Sequence, residues 1–144
     1  MAQLIAKKLN NVDLYRIQTV RKYAEGMYDA WDQAQVEIAD NKMPELSGEL
    51  PNLSKYDNVI IGGPVWGFNP STPILSYIRQ NDFSNNNIAA FWTYYDHDEK
   101  YTSALHREIP TFDPQNGLAL SMSLMDNDKL LNQNIDKWIK KINF

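Results

Sequence analysis

Two short segments of the chain combine aromatic side chains with residues that favour turns. Residues 62–68 read GGPVWGF, and residues 93–98 read TYYDHD. Each follows a run of apolar residues that is typical of a buried strand. In an open parallel sheet, ligands bind just beyond the carboxyl ends of the strands. If the two strands are parallel neighbours, both segments lie at this binding edge.

The aromatic side chains of these segments are suited to holding a flat ligand. Trp66 and Phe68 belong to the first segment, and Tyr94 and Tyr95 belong to the second. Offset stacking of aromatic rings contributes about 0.5–1.5 kcal/mol per pair beyond area burial. We therefore expect a planar ring to bind between the two segments.

The glycines of the first segment have a role in this hypothesis. Gly62, Gly63 and Gly67 lack a Cβ, so the backbone could approach a bound ring closely. The alternative is that Trp66 and Phe68 only cover the end of the hydrophobic core. The presence of two such segments on adjacent strands favours a bound ligand over a role in covering the core.

Other reactive side chains do not form a catalytic pattern. His97 either hydrogen-bonds a ligand or is a solvated loop residue, and with His106 it gives too few histidines for a histidine metal site. Ser71 and Ser76 have no His and Asp partners at a suitable spacing, which excludes a hydrolase triad. The chain has no cysteine, so thiol catalysis and cysteine-ligated metals are excluded. We predict no catalytic residue and no metal site.

Strand and helix signals alternate along the chain. This alternation is typical of βαβ units and predicts one α/β domain over residues 1–144, with a three-layer parallel sheet and helices on both faces. The second helix is expected to turn Met27, Trp31, Ala34 and Ile38 toward the core. Predicted strands cover residues 12–17, 58–62, 88–93 and 117–124. Predicted helices cover residues 1–9, 27–41 and 101–109. Two further helices are predicted: one is capped by Ser71 or Thr72, and the C-terminal one is capped by Asp126 or Asp128.

The composition narrows the class of protein. The net charge is −4, and no basic cluster of the kind that follows a phosphate backbone is present, so nucleic acid is not expected as a partner. The longest apolar runs are too short for a membrane span. The start of the sequence has no apolar core followed by a cleavage site. We therefore expect a cytoplasmic protein.

Three stretches of the sequence resemble a known family: YDNVIIGGPVWG, STPILSYI and FWT, followed by the final strand and helix. Together they are similar to the flavodoxin-like fold of bacterial flavodoxin-type flavoproteins over nearly the whole chain. The most specific part is a strand, a GxPVW loop and a helix that starts with (S/T)xP. The resemblance implies that FMN binds at the strand ends, with Pro64, Val65, Trp66, Gly67 and Phe68 in the first isoalloxazine loop, Thr93, Tyr94, Tyr95 and Asp96 in the second, and His97 and Asp98 at its rim.

The resemblance also implies that a part of the family pattern is missing. Members begin with a buried strand and a loop containing Ser or Thr and Gly, which wraps the FMN phosphate. This sequence starts at MAQLIAKKL, which resembles the middle of the following helix. The first strand and the phosphate loop are therefore absent from this N-terminally truncated pattern. Gly62 and Gly63 do not replace the loop, because Pro64 removes a donor N–H.

In the flavodoxin-like strand order 2-1-3-4-5, the missing strand would lie between residues 12–17 and 58–62. Buried backbone groups without partners are rare because each is costly. Three explanations follow: a start placed too late, direct pairing of residues 12–17 with residues 58–62 in a four-stranded sheet, or another copy of the chain that fills the gap. For the molecule as given, we expect direct pairing or a swapped homodimer.

Two functions from different classes follow from the resemblance. The first is an FMN-binding protein that carries electrons or acts as a small NAD(P)H-linked reductase, with a redox protein or a small electron acceptor as partner. Asp96, Asp98 and Glu99 would then disfavour an anionic reduced flavin and lower its reduction potential, unless they only form a solvated face. The alternative is a remnant without cofactor that presents the aromatic edge to a protein partner.

Overall fold

The computed structural model describes residues 1–144, apart from the side chain of Met27. Strand and helix alternate from residue 58 onward, as the sequence predicts. The helices are α1 (Ala2–Ala6), α2 (Met27–Ala39), α3 (Thr72–Arg79), α4 (Tyr101–Glu108), α5 (Met122–Met125) and α6 (Asp128–Ile142), and the strands are β1 (Asn58–Trp66), β2 (Asn69–Pro70), β3 (Asn87–Tyr94) and β4 (Gly117–Ser121).

The sheet has the strand order β2-β1-β3-β4. β1 and β3 are parallel, with Val59 opposite Ile88 and Pro64 opposite Thr93. β3 and β4 are also parallel, whereas the two-residue β2 pairs antiparallel with the end of β1. The predicted parallel α/β sheet is therefore confirmed.

Helices cover both faces of the sheet, which explains the continuous apolar run in β1. Val59 and Ile61 belong to the hydrophobic cluster that includes residues of α3 and α4. Ile60 points to the opposite face and packs with the cluster that includes Ile5 of α1 and residues of α6. A strand that is covered on both faces needs apolar residues at successive positions.

The helix ends differ in detail from the sequence-based predictions. α6 buries Leu131, Ile135, Trp138 and Ile142. Its cap is neither Asp126 nor Asp128: Asn127 Oδ1 accepts the Leu130 N–H at 3.0 Å. The predicted strand 117–124 ends at Ser121, whose hydroxyl accepts the Leu124 N–H and starts α5.

Ser71 occupies the cap position of α3, but its side chain makes no capping hydrogen bond. Thr72, the other predicted cap, instead bonds with Tyr23.

The inward face predicted for α2 is only partly correct. Ala34 is fully buried and Ile38 is half-buried, whereas Trp31 is 45% exposed. The fourth predicted position, Met27, lies outside the described side chains. The helix packs mainly against α3, and its buried stripe is narrower than that of a core helix.

The predicted strand over residues 12–17 is wrong. These residues form no strand, and an isolated bridge between Thr19 and Leu46 is the first pairing that follows them. Direct pairing with β1 does not occur either, because β1 has only β2 on the side away from β3, at Val65 and Trp66. Residues 12–17 are held instead by side chains: Tyr56 donates a hydrogen bond to Asp13 at 2.8 Å, and the Tyr15 ring lies 6.0 Å from that of Tyr77.

No helix within the described part of the chain combines the length and the apolar character needed to cross a membrane.

The geometry of β1 predicts an alternating pattern of hydrogen exchange. The Asp57 carbonyl accepts the Asn87 N–H at 2.8 Å, so the peptide groups of Val59, Ile61 and Gly63 point toward β3. The N–H groups of Ile60 and Gly62 point to the open side. We expect amide exchange to be slow at the first three positions and at least about tenfold faster at the last two, as measured by NMR. Equal protection at all five positions would contradict this edge geometry.

Candidate functional site

The two aromatic segments lie at one edge of the sheet. Pro64 of β1 is opposite Thr93 of β3, and both strands run in the same direction. The residues that follow each strand position therefore leave the sheet side by side. The sequence-based expectation that both segments meet at the carboxyl end of the sheet is confirmed.

The first segment is more regular than predicted. Pro64, Val65 and Trp66 are not in a loop but extend β1, and the chain reverses only at Gly67 and Phe68. Pro64 fits this strand because its nitrogen, which has no hydrogen to donate, points away from β3. Val65 packs on the core cluster, so its side chain is not free for a ligand.

The reversal is a two-residue hairpin turn with positive φ at both positions. The φ angles are 55° at Gly67 and 69° at Phe68, and Asn69 Nδ2 donates to the Gly67 carbonyl at 2.8 Å. Positive φ at both central residues is the requirement of a type I′ turn, which matches the twist of the flanking strands. Phe68 is a bulky residue in this region, and such conformations persist only where the surroundings hold them.

Phe68 connects the two segments. Its ring is 41% exposed and lies 5.9 Å from the His97 ring. The Lys100 ammonium group lies 5.2 Å from the centre of the Phe68 ring, which is within the range of a cation–π contact. Phe68 thus touches the residues that follow β3 while much of its ring faces solvent.

The second segment divides into a buried part and an exposed part. Tyr94, the last residue of β3, packs against the core cluster. Tyr95 is 74% exposed, and Asp96 is exposed beside it. His97 is also exposed and lies 3.1 Å from Glu99. Of the two predicted tyrosines, Tyr95 is therefore the one with a free ring.

Two predicted glycines serve the core and not the candidate site. A Cβ on Gly62 would lie 2.0 Å from the Phe91 ring, and a Cβ on Gly63 would lie 2.3 Å from Ile74. Their missing side chains make room for neighbouring core residues. Of the three predicted glycines, only Gly67 has a positive φ, and it serves the turn beside the candidate site.

Trp66 is held by a residue that the sequence analysis missed. The Tyr23 ring meets the Trp66 indole edge-on, with centroids 5.0 Å apart. The Tyr23 hydroxyl donates to Glu37 at 2.6 Å and lies 2.8 Å from the Thr72 hydroxyl. Burial, followed by the hydrogen bond to Glu37, raises the pKa of Tyr23 above its usual value. Tyr23 lies in an irregular stretch without periodicity, so no sequence pattern indicated this role.

The Gln35 side chain of α2 lies against the turn at Gly67 and Phe68. A Cβ on Gly67 would lie 2.5 Å from Gln35 Nε2, and this nitrogen is buried without a hydrogen-bond partner. The amide therefore fills the space that glycine leaves open. Because Gln35 and Gly67 are far apart in the sequence, no local sequence pattern indicates this contact.

Two acidic side chains in and after the second segment already have hydrogen-bond partners. Asp98 accepts a hydrogen bond from Trp92 Nε1 at 2.7 Å, and Glu99 faces His97. A hydrogen bond from its own backbone N–H, and then the contact with His97, lowers the pKa of Glu99. Asp98 thus fixes the path of the chain after β3 by its bond to the buried indole.

Below this loop, Trp92 stacks on Tyr101 of α4 with ring centroids 4.6 Å apart. Tyr101 is fully buried, and its hydroxyl has no hydrogen-bond partner. Burial raises the pKa of this phenol. The stacked pair supports the second segment from inside the core.

Tyr23→Phe should loosen the Trp66 anchor. The variant loses the bonds to Glu37 and to the fully buried Thr72, so we expect the free energy of unfolding to fall by about 1–2 kcal/mol. In NMR spectra the indole signal of Trp66 should shift more than that of Trp138. Tyr95→Phe is the matched control, because its ring is mostly exposed. An unchanged stability in Tyr23→Phe would show that this anchor contributes nothing.

Tyr101→Phe should stabilise the protein, because it removes a buried hydroxyl without a partner. We expect a gain of about 1 kcal/mol at pH 7, measured by urea unfolding. The folded-state pKa of Tyr101 lies above its unfolded value near 10. Ionisation of this phenol therefore favours the unfolded state, so the stability of the parent chain is unaffected by it below pH 10 and falls as the pH rises further. Above pH 10 the free energy of unfolding of the variant should therefore fall less steeply than that of the parent chain, and the two slopes should differ by about 1.4 kcal/mol per pH unit.

The alkaline fall should not vanish in Tyr101→Phe, because burial also raises the pKa of Tyr77, to about 12. A loss of more than about 1 kcal/mol at pH 7 would instead mean that the Tyr101 hydroxyl has a favourable partner.

Comparison with known proteins agrees with this architecture. The flavodoxin family profile matches residues 1–142. No curated protein sequence matches the chain.

Two solved structures resemble the chain. A flavoprotein from Lactobacillus acidophilus in complex with FMN superposes with a TM-score of 0.69 at 23% identity, covering 86% of this chain and 85% of the other. A protein from Bacteroides eggerthii, provisionally described as a flavoprotein, gives a TM-score of 0.72 at 21% identity, covering 99% of this chain and 91% of the other. At these identities the two structures show the shared fold, and the match over residues 1–142 shows the family: the chain belongs to the flavodoxins.

Proposed function

We propose that this chain binds the isoalloxazine ring of FMN at the carboxyl ends of β1 and β3 and acts in electron transfer. The observation that carries the proposal is the contact between the two segments at Phe68, beside exposed aromatic surface on both. The FMN complex of the Lactobacillus acidophilus structure supports it, because that protein has the same fold.

The described residues fit the ring of FMN better than its phosphate. Phe68 and Tyr95 offer exposed aromatic faces on the two segments. The turn at Gly67 also brings backbone groups to this edge. A phosphate needs successive N–H groups, as at a helix N-terminus. α3 starts near this edge, but Pro73 has no N–H and Thr72 is buried by Tyr23, so the described residues provide no such cradle there.

Within this proposal, flavin supplies the redox chemistry, and the chain supplies position and charge. Phe68 and Tyr95 orient the ring by stacking. Trp66 is the base of the first segment because Tyr23, which is itself bonded to Thr72, packs against it. Asp96 and Glu99 place negative charge near the ring edge, which disfavours an anionic ring and lowers the reduction potential. Lys100 opposes this effect from above Phe68.

The rival function is a protein-binding module without cofactor. The same exposed aromatic side chains would then contact a protein partner. Flavin titration separates the two functions, because the rival predicts no flavin binding at this edge.

Because the described residues form no phosphate cradle beside the ring site, we expect FMN and riboflavin, which differ in the phosphate, to bind with similar affinity. For a chain of residues 1–144, we expect the two dissociation constants to agree within about threefold, which is below 1 kcal/mol. Quenching of flavin fluorescence during titration measures both. FMN binding tighter by a factor of about 100 or more would contradict this assignment, since it would require a phosphate site among these residues. No binding of either flavin would contradict the proposed function itself.

Phe68→Ala should weaken flavin binding by about two- to tenfold, the equivalent of one aromatic stacking contact. Tyr15→Ala is the matched control, because Tyr15 is about equally exposed but packs against Tyr77 of α3 and belongs to neither aromatic segment. The control should bind flavin like the parent chain. Equal losses in both variants would point to a general destabilisation and not to a contact with the ring.

A further inference from the structure

A small cavity lies where the end of α2 meets α3 and α4, beside β2. Its volume is about 190 Å³, and it shares no residue with the two aromatic segments. Part of its lining is apolar: Leu75 of α3 and Ala104 of α4 are buried there, and Ile38 and Met43 are half-buried beside them. This part of the cavity can receive an apolar group.

The polar part of the cavity is fixed by Arg79. Its Nε and Nη2 donate to the two carboxylate oxygens of Glu108 at 3.0 and 2.7 Å, and its Nη1 donates to Asn41 Oδ1 at 2.9 Å. The guanidinium therefore joins α3 to α4 and to the residues that follow α2. The bond from Arg79 lowers the pKa of Glu108, so this carboxylate is ionised at neutral pH and its charge is matched by Arg79.

Arg107 is the charged residue of the cavity that remains without a partner. It is exposed, and within the described chain it makes no hydrogen bond and no ion pair, although it lines the same cavity as Arg79 and Glu108. Two arginines and one glutamate leave one positive charge in the lining. A guanidinium offers a planar fork of N–H donors that matches the two oxygens of a carboxylate. The charge and the donors of this cavity therefore favour a ligand with one negative charge.

We propose that this cavity binds a small organic monocarboxylate, with its apolar body against Leu75 and Ala104 and its carboxylate on Arg107. The volume is below the range of about 300–1,000 Å³ that is typical of sites for drug-sized ligands, which restricts the ligand to a small acid. A phosphate ester carries nearly two negative charges, so it would exceed the single free positive charge and be repelled by Glu108. This inference does not depend on flavin binding.

The direct test is a titration of the full chain with benzoate at pH 7, followed by amide chemical shifts in NMR spectra. We expect saturable changes concentrated at residues 38–43, 75–79 and 104–108, with a dissociation constant of about 0.1–5 mM, as suits so small a ligand. Residues 93–97 of the flavin edge should not change. Benzamide is the matched control ligand, because it has nearly the same shape without the charge, and it should bind at least about fivefold more weakly.

Two variants separate the charge from the cavity itself. Arg107→Gln should weaken benzoate binding by about fivefold or more, whereas Arg16→Gln, which removes the same charge from an exposed position outside the cavity, should bind within about twofold of the parent chain. Ala104→Leu places a larger side chain in the apolar part and should abolish binding of benzoate and benzamide alike. If Ala104→Leu does not fold, the exposed Arg107→Gln substitution still decides.

Four outcomes would overturn the proposal. The first is the absence of saturable shift changes with benzoate. The second is equal binding of benzoate and benzamide, or equal binding by Arg107→Gln and the parent chain, because the carboxylate would then not be recognised. The third is a response concentrated at residues 93–97, which would place the acid at the flavin edge. The fourth is tighter binding of phenyl phosphate at the same residues, which would make the ligand a phosphate ester and not a carboxylate.

Discussion

The parallel ladder between β1 and β3 determines the position of every other element near the candidate site. Its register sets Pro64 beside Thr93, so the two chains leave the sheet as neighbours. The same ladder directs alternate side chains of β1 to two apolar clusters. It directs the other half of the peptide groups to the side where β2 pairs with the end of β1. A shift of one residue in this ladder would exchange the faces and separate the segments.

At the candidate site, one residue has a strained backbone conformation that its neighbours hold in place. Phe68 occupies a left-handed conformation that costs an L-residue about 1–2 kcal/mol. Its surroundings hold it there: the short hairpin with β2, the Gln35 side chain beside Gly67, and the contacts with His97 and Lys100. Strained residues of this kind concentrate at functional sites, where the scaffold fixes a side chain that would otherwise turn away. The exposed ring of Phe68 fits that pattern.

The sequence predicted the parts of the molecule that depend on strong local signals. The apolar runs at residues 58–62 and 88–93 and the periodic C-terminal helix are dominated by burial, and all three form. Residues 12–17 alternate apolar and polar side chains only loosely and have no neighbouring strand, and a strand exists only as part of a sheet. Trp31 was placed inward by periodicity, but α2 packs on another helix and leaves that position exposed.

The supporting residues of the candidate site were beyond prediction for a different reason. Tyr23 reaches Trp66 and Thr72 across more than forty residues of sequence, and the I′ turn at Phe68 lacks the usual Asn-Gly signal. Gly62 and Gly63 illustrate the reverse error. Glycine before a turn suggested close approach of a ligand, whereas the space belongs to Phe91 and Ile74.

The account is tested most directly by mapping amide chemical-shift changes in the NMR spectrum while FMN is added to the chain. It predicts changes concentrated at residues 64–68 and 93–97, with both segments responding at the same flavin concentration. Changes in only one segment, or changes concentrated at the opposite end of the sheet around residues 51–57 and 80–86, would contradict a ring held between the ends of β1 and β3.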